Sequence, residues 1–279
     1  EVLVADSHQT VESATDLARV IRAITDQPVR YLVHTHFHGD HVNGSSAFGP
    51  AVEVIGHDYT RERLAAKAPG GPGPEIRIPT ITLTETWSLH RPGVTVRVLF
   101  AGRAPTAGDV VVQVVEDGVL MTGDACVNGP YTYWGDAYPL EWPAALDRMA
   151  ALRPKRVVPG HGPVADGDLI PRFKGYVEGV LAAVKPHAEA GKGFDEIRAG
   201  VTRPEDLRLW TGRKPGEAPA PTDDQLKSAS AALREAKGLP PRVGDPAPDF
   251  TLPSSAGGKF HLTEEVSKGP VVLTTYLLD

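Results

Sequence analysis

Four of the chain's ten histidines and an aspartate fall within the run His34-Thr35-His36-Phe37-His38-Gly39-Asp40-His41. Imidazole nitrogens and carboxylate oxygens are the donors that zinc and iron take up in compact shells, and an ion so held lowers the pKa of a bound water to about 7. His36, His38, Asp40 and His41 follow the pattern H-x-H-x-D-H. At the end of a strand, His36 and His38 share one side because side chains alternate. Asp40 and His41, in a turn eased by Gly39, can fold back to a second point close by. One short segment can therefore seed two adjacent metal positions, a spacing improbable by chance in a chain with ten histidines.

Such a cluster needs a strand that ends on it. Residues 29–33 read as a short strand running straight into His34, and in α/β folds the C-terminal ends of strands are where side chains meet ligands. A helix over 16–25 precedes it, with Leu17, Val20, Ile21 and Ile24 on one stripe and Pro28 as the stop. Val2, Leu3, Val4 and Ala5 form a strand-like run. Residues 51–55, 94–100, 110–115, 119–121 and 156–158 are rich in β-branched types and read as further strands. Trp142, Leu146 and Met149 share one face of a helix that tolerates Pro143 in its first turn. Hairpins in the middle with helices on both flanks predict an α/β sandwich.

From about Thr202 the composition turns to proline, glycine and charge, which reads as a linker. A helix over 224–237 follows, closed by Gly238 and Pro240. The remaining residues, about forty, are too few for an independent domain and are expected to open something longer.

The 279 residues suffice for one or two domains, and 41% hydrophobic with 23% charged residues predicts a soluble globular protein with no run able to span a bilayer. The balance of 29 basic against 35 acidic side chains, net −6, argues against nucleic acid as a partner. A single cysteine, Cys126, excludes an internal disulfide framework and a paired-thiol redox site. The chain opens on Glu1, so a start or signal peptide is expected to be missing, and localisation stays open between cytoplasm and periplasm.

The segment Thr35-His36-Phe37-His38-Gly39-Asp40-His41 resembles the signature of the metallo-β-lactamase superfamily. That resemblance implies a four-layer αββα sandwich with one or two metal ions between its sheets. Met121-Thr122-Gly123-Asp124 resembles the segment that supplies the bridging aspartate, and Val158-Pro159-Gly160-His161-Gly162 the one that supplies the last histidine. Asp6, after the leading strand, resembles the family's early strand-turn. The resemblance covers about residues 1–200; the family's first strands are not found, so the fold is expected to be N-terminally truncated. One position departs. Gly102-Arg103-Ala104-Pro105-Thr106-Ala107-Gly108-Asp109 stands where the family has G-x-x-H-T-x-G-D, and Pro105 has no donor in place of the third histidine. No histidine lies between His90 and His161 to replace it.

Two unequal positions are then implied. Asp40, His41, Asp124 and His161 form a complete set, while His36 and His38 keep only a bridging oxygen from Asp124, short of the usual three-ligand shell. Zinc is the expected ion, one firmly bound and a second weak or absent. The resemblance implies a hydrolase in which Asp40 orients the attacking water on a small-molecule substrate. A degenerate metal-binding module is the alternative. Iron-dependent sulfur chemistry of the persulfide dioxygenase kind fits less well, because it uses the histidine that Pro105 replaces. His34 is expected to bond to backbone, His57 to be structural, Cys126 to be a buried apolar group and Asp109 to fix its loop. His8, His90, His187 and His261 have no ligand context. Tyr131, Tyr133, Trp134, Tyr138 and Trp142 read equally as a substrate wall or as core caps.

The stretch from Val243 to Pro253 resembles the opening of a thioredoxin-like domain of the peroxiredoxin type, ending before any redox cysteine. The expected organisation is a metallo-β-lactamase-like domain over 1–201, a linker with one helix over 202–240 and an incomplete thioredoxin-like segment over 241–279, with the rest of that domain a possible partner in a longer protein.

Overall fold

A computed structural model of the chain describes residues 1–66, 73–129, 132–201 and 221–239, with the backbone of two short strands at 251–253 and 259–261. Four strands, β1 (Val2–Ala5), β2 (Val29–Val33), β3 (Glu53–His57) and β4 (Ile81–Leu83), form an all-parallel sheet in that order. A second sheet has the order β10–β9–β8–β7–β6–β5. Its members are β5 (Thr86–Arg91), β6 (Val94–Phe100), β7 (Val110–Val114), β8 (Val119–Gly123), β9 (Arg156–Pro159) and β10 (Ala165–Asp166).

Side-chain alternation along the strands creates three apolar seams. On β2 and β3, Leu32 and Val54 turn outward onto α1 (Val11–Ile24), where they meet Ala14, Leu17 and Ile21. Val33 and Ile55, one residue on, turn inward with Leu83 to meet Val98, Val110 and Val112 of the second sheet. The opposite face of that sheet presents Val111, Leu120 and Val157 to a helical layer. That layer contains α4 (Trp142–Ala151) and α5 (Leu169–Glu189), followed by α6 (Phe194–Gly200) and α7 (Asp223–Ala236). Helix, sheet, sheet, helix is the four-layer sandwich expected. Its first sheet is parallel because both faces are covered, one by α1 and one by the partner sheet.

Local chemistry accounts for most boundaries. The first helix begins at Val11, five residues before the expected start, because Thr10 Oγ1 accepts from Ser13 N at 3.1 Å as an N-cap. It ends at Ile24, with Thr25 already extended. Trp142, Leu146 and Met149 are all buried on the inner face of α4, with Pro143 in its first turn as expected. Strands β4 and β5 and helix α5 were not legible. In α5 the apolar positions Phe173, Val177, Val180 and Val184 keep helical spacing, but Pro171, Gly175, Gly179 and Pro186 interrupt the pattern.

The helix placed in the linker behaves differently from a linker element. It spans 223–236, packs on α5, and buries Leu226 and Ala229 in the same apolar cluster as Trp142 and Phe173. Residues 202–220 lie outside the described residues. So does most of the stretch expected to open a thioredoxin-like domain, of which only the antiparallel pair β11 (Thr251–Pro253) and β12 (Lys259–His261) is described. Among the described residues no helix is long and apolar enough to cross a membrane.

Candidate metal centre

The dense histidine run is positioned differently from the sequence expectation. The strand β2 stops at Val33, and His36 and His38 lie beyond it in a bend rather than alternating along it. They still converge, with His36 Nε2 and His38 Nδ1 3.0 Å apart. Asp40 and His41 sit on α2 (Gly39–Val42), a single turn. Asp6 closes the run from the other side: at φ 63 it turns back from β1, and its Oδ1 accepts from Thr35 N at 2.9 Å. Its Oδ2 accepts from Thr35 Oγ1 at 2.8 Å and lies 2.8 Å from His41 Nδ1.

The second sheet brings Asp124 and His161 to the same place. Parallel β8 and β9 end side by side, with Gly123 opposite Pro159 and a register irregularity between Met121 and Gly123. Gly123 has φ 49, and a side chain there would run into Thr35. Gly160 has no room for a Cβ either, since that atom would overlap Asp124 Oδ1 and approach the Gly123 carbonyl carbon to 2.6 Å.

Two groups of donors result, each with its ligand atoms within 4.8 Å of one another: Asp40, His41, Asp124 and His161, and His36, His38 and Asp124. In the first, Asp124 Oδ1 lies 3.2 Å from His41 Nε2 and 3.4 Å from His161 Nε2, while Asp40 Oδ2 lies 3.0 Å from His161 Nε2. In the second, Asp124 Oδ2 lies 4.0 Å from His36 Nε2. Pro105 is buried in the turn that the residues after it tie to Thr35, through Val110 N donating to Thr35 O at 2.9 Å. It offers no donor, and no further His, Cys, Asp or Glu among the described residues joins the second group.

Proton placement tests whether a cation fits. The Thr35 hydroxyl gives its one hydrogen to Asp6, so at 3.1 Å it accepts from His36 Nδ1–H, leaving His36 Nε2 as a bare lone pair. His38 Nε2 lies 3.0 Å from Asp136 Oδ2 and donates to it, and in the neutral imidazole Nδ1 is then bare as well. Two lone pairs then face each other at 3.0 Å, an arrangement that repels unless a cation or a proton sits beside them. The His41 Nδ1–H is likewise spent on Asp6, and its Nε2 faces carboxylate oxygens. His41 Nε2 and Asp124 Oδ1 are both buried without a well-aligned hydrogen-bond partner. Buried polar atoms rarely stay unpaired, and a divalent ion in each of the two groups would satisfy them.

The electrostatics agree. Bonds from His161 and His41 hold Asp40 well below the usual carboxylate range. Burial raises the Asp124 carboxyl, but His161 and His41 outweigh it and bring it well below that range too. His161 is pushed up to about 9 by Asp124 and Asp40. Burial lowers His41, yet Asp6 and Asp124 raise it well above its ordinary value. Protons on His41 and His161 thus take the role of positive charge that a metal would otherwise fill. Burial, with His41 next, brings His36 down to about 3, which keeps it neutral as a ligand must be.

Other residues sort cleanly. His34 is fully buried, its Nε2 2.9 Å from the Arg77 carbonyl, and belongs to the scaffold. His57 Nδ1 caps α3 (Asp58–Ala65), accepting from Tyr59 N at 3.1 Å. Asp109 Oδ2 accepts from Thr106 N and Oγ1 at 2.7 and 2.9 Å and fixes its loop, its carboxyl raised well above normal by burial. Cys126 is buried in the apolar cluster, which pushes its thiol up. The aromatic segment divides between its two readings. Trp134 and Trp142 are core, 5.4 Å apart, whereas Tyr133 stands at the cleft with its ring 5.5 Å from that of His38. Tyr138 lies under Arg103, and Tyr131 is outside the described residues. Asp136 went unnoticed, because a carboxylate distant in sequence from every histidine carries no spacing signal. The centre opens into a cleft of about 630 Å³, whose walls include Asp40, Asn128, Tyr133, His161 and Pro163.

A family model described as the metallo-beta-lactamase superfamily matches residues 12–161. Among curated proteins, the chain is 24% identical over 212 residues to a linear primary-alkylsulfatase of Pseudomonas sp. (strain ATCC 19151), covering 60% of this chain and 40% of that protein. It is 22% identical over 197 residues to a beta-lactamase-like protein 2 homolog of Caenorhabditis elegans, covering 71% and 63%. It is 29% identical over 195 residues to the lactamase-like protein vrtG of Penicillium aethiopicum, covering 68% and 57%. The chain thus spans less than two thirds of the length of each of these relatives. A metallo-beta-lactamase from Pontibacter korlensis superposes with TM-score 0.56 at 26% identity, over 63% of this chain and 81% of that one. The DIM-1 metallo-beta-lactamase, at 19% identity and TM-score 0.54 over the same shares, supports the fold alone.

Proposed function

The chain belongs to the metallo-β-lactamase superfamily, and from that premise we propose that it is a zinc-dependent hydrolase of an ester, thioester or amide carbonyl, with one firm and one weak metal position. The observation that carries this reading is the convergence of donors around Asp124, with His41 Nε2 and Asp124 Oδ1 buried and without a well-aligned hydrogen-bond partner. His41, His161, Asp40 and Asp124 would hold the firm ion, and His36, His38 and Asp124 the weak one. An ion so bound supplies Lewis acidity, which activates water at neutral pH and stabilises an oxyanion.

The chain's own groups do the rest. Asp40, ionised and partly exposed at the cleft, accepts a hydrogen bond from the attacking water and aims it at the substrate. Asp6 and Asp136 set the tautomers of His41 and His38. Tyr133 and Pro163 give the cleft an apolar wall that orients the substrate and excludes water from its far side. The likeness to a linear primary-alkylsulfatase adds sulfate esters to the substrates to assay. Pro105 supports a second reading, a degenerate module that binds an ion without hydrolysis and serves a fused thiol-redox domain.

Metal content of the purified protein, paired with hydrolysis of a generic ester or lactam, tests the proposal. One zinc per chain held through dialysis, a second only at high free zinc, and zinc-dependent turnover are expected. Two tightly held ions would refute the asymmetry, and bound zinc with no turnover would favour the degenerate module. Asp124→Asn should lose both positions, because each group uses that carboxylate.

A further inference from the structure

Helix α7 lies beyond the family-matched residues 12–161, yet it reaches the wall of the metal centre. Its first turn carries two side chains that bond to the loop 132–136. Asp224 Oδ2 accepts from Trp134 N at 2.7 Å. Gln225, only 1% exposed, donates from Nε2 to the Thr132 carbonyl at 2.9 Å. The Gln225 Oε1 is fully engaged as well, accepting from Tyr176 OH of α5 at 2.8 Å and from Thr222 N at 3.1 Å, so the amide has one orientation. Asp224 is steadied in turn by the Thr222 hydroxyl, which donates to its Oδ1.

Thr132 and Trp134 are buried, and Trp134 packs on Trp142. Tyr133, between them, lies against the His38 ring. A turn follows at once, with Ala137 N donating to Trp134 O at 3.1 Å, and it carries Asp136 to His38 Nε2 at 3.0 Å. Anchoring the backbone at Thr132 and Trp134 therefore fixes Tyr133 and the start of the turn that presents Asp136.

We infer that α7 is a clamp on the metal centre: Asp224 and Gln225 are positioning residues that fix the 132–136 loop and through it hold Asp136 on His38. His38 belongs to the position that lacks a third histidine, so its tautomer matters more there than at a fully liganded site. The effect on metal affinity rests on His38 being a ligand, as proposed above; the clamp itself does not.

The test compares Asp224→Ala and Gln225→Ala with Leu226→Ala, a buried α7 residue that packs in the core. Three quantities are read: hydrogen exchange at the Trp134 amide, the imidazole ¹⁵N shifts of His38 in metal-free protein, and cobalt(II) affinity. Wild type should show a protected amide and a proton on the His38 Nε2 that faces Asp136. Both clamp variants should expose the amide, mix the tautomers and weaken the looser cobalt position about 10–100-fold, the effect of losing an outer partner. Asp224→Asn, which keeps an acceptor oxygen, should restore the wild-type pattern. Leu226→Ala should lower Tm and leave all three quantities unchanged. Unchanged exchange and tautomers in both clamp variants would overturn the inference, as would equal changes in Leu226→Ala. If wild type takes up no cobalt, the metal reading falls, and exchange and tautomer still decide the clamp.

Discussion

Replacing Pro105 with histidine tests the asymmetry of the centre most directly. Position 105 is buried in the turn that abuts Thr35, the residue next to His36. The backbone bonds of that turn, Ala104 N to Thr106 O at 2.9 Å and Tyr138 N to Ala104 O at 2.8 Å, involve neither the nitrogen nor the carbonyl of residue 105. The substitution therefore leaves them intact, and relaxing the unfolded chain costs about 0.4–1 kcal/mol. Against this, a third imidazole converts a group of two histidines and a shared carboxylate into the usual shell. A direct ligand contributes at least the about 10–100-fold of an outer partner, or about 1.4–2.7 kcal/mol. Pro105→His should therefore be slightly less stable without metal and more stable in saturating zinc. Zinc titration against a chromophoric chelator should show the second equivalent binding at least tenfold more tightly, by the same reasoning, with hydrolysis rising alongside. A folded variant whose second equivalent binds as in wild type would show that residue 105 does not face His36 and His38, and that the lost ligand has been misassigned.

The remaining predictions concern other parts of the scaffold. Gly160→Ala places a methyl group on Asp124 Oδ1 and should abolish zinc retention at both positions, for an overpacking cost of about 1–3 kcal/mol, read by metal content and Tm. Leu146→Ala removes a fully buried side chain between the second sheet and the helices and should cost about 2–5 kcal/mol in denaturant unfolding without altering metal stoichiometry. Tyr176, whose phenol burial pushes up to about 12, predicts an alkaline transition. The unfolded chain loses that proton near pH 10 and the folded one does not, so stability falls between about pH 10 and 12 by about 1.4 kcal/mol per unit. Tyr176→Phe, though weaker at neutral pH for want of the bond to Gln225, should fall less across that window; an equal slope in both proteins would remove Tyr176 as the cause.

Most donors of the candidate centre were legible in the sequence. His36, His38, Asp40 and His41 lie within six residues, and covalent connection alone keeps such donors close, so their spacing is readable before any folding. Asp124 and His161 were reachable only because Met121–Asp124 and Val158–Gly162 resemble the family's ligand-bearing segments. The β-branched strands and α4 were legible because period and composition act over a few residues. Tertiary structure decided what depends on distant segments meeting. Nothing local says that Asp6 spends a proton acceptor on both Thr35 and His41, that Asp136 turns His38, or that Gln225 is threaded between Tyr176 and Thr132. Those contacts span 29 to 98 residues of chain and exist only because two sheets stack and α7 returns to cover the loop. The same return explains why a helix that reads as a linker element from its flanks is part of the core: its apolar face was visible, but the surface that buries it was not.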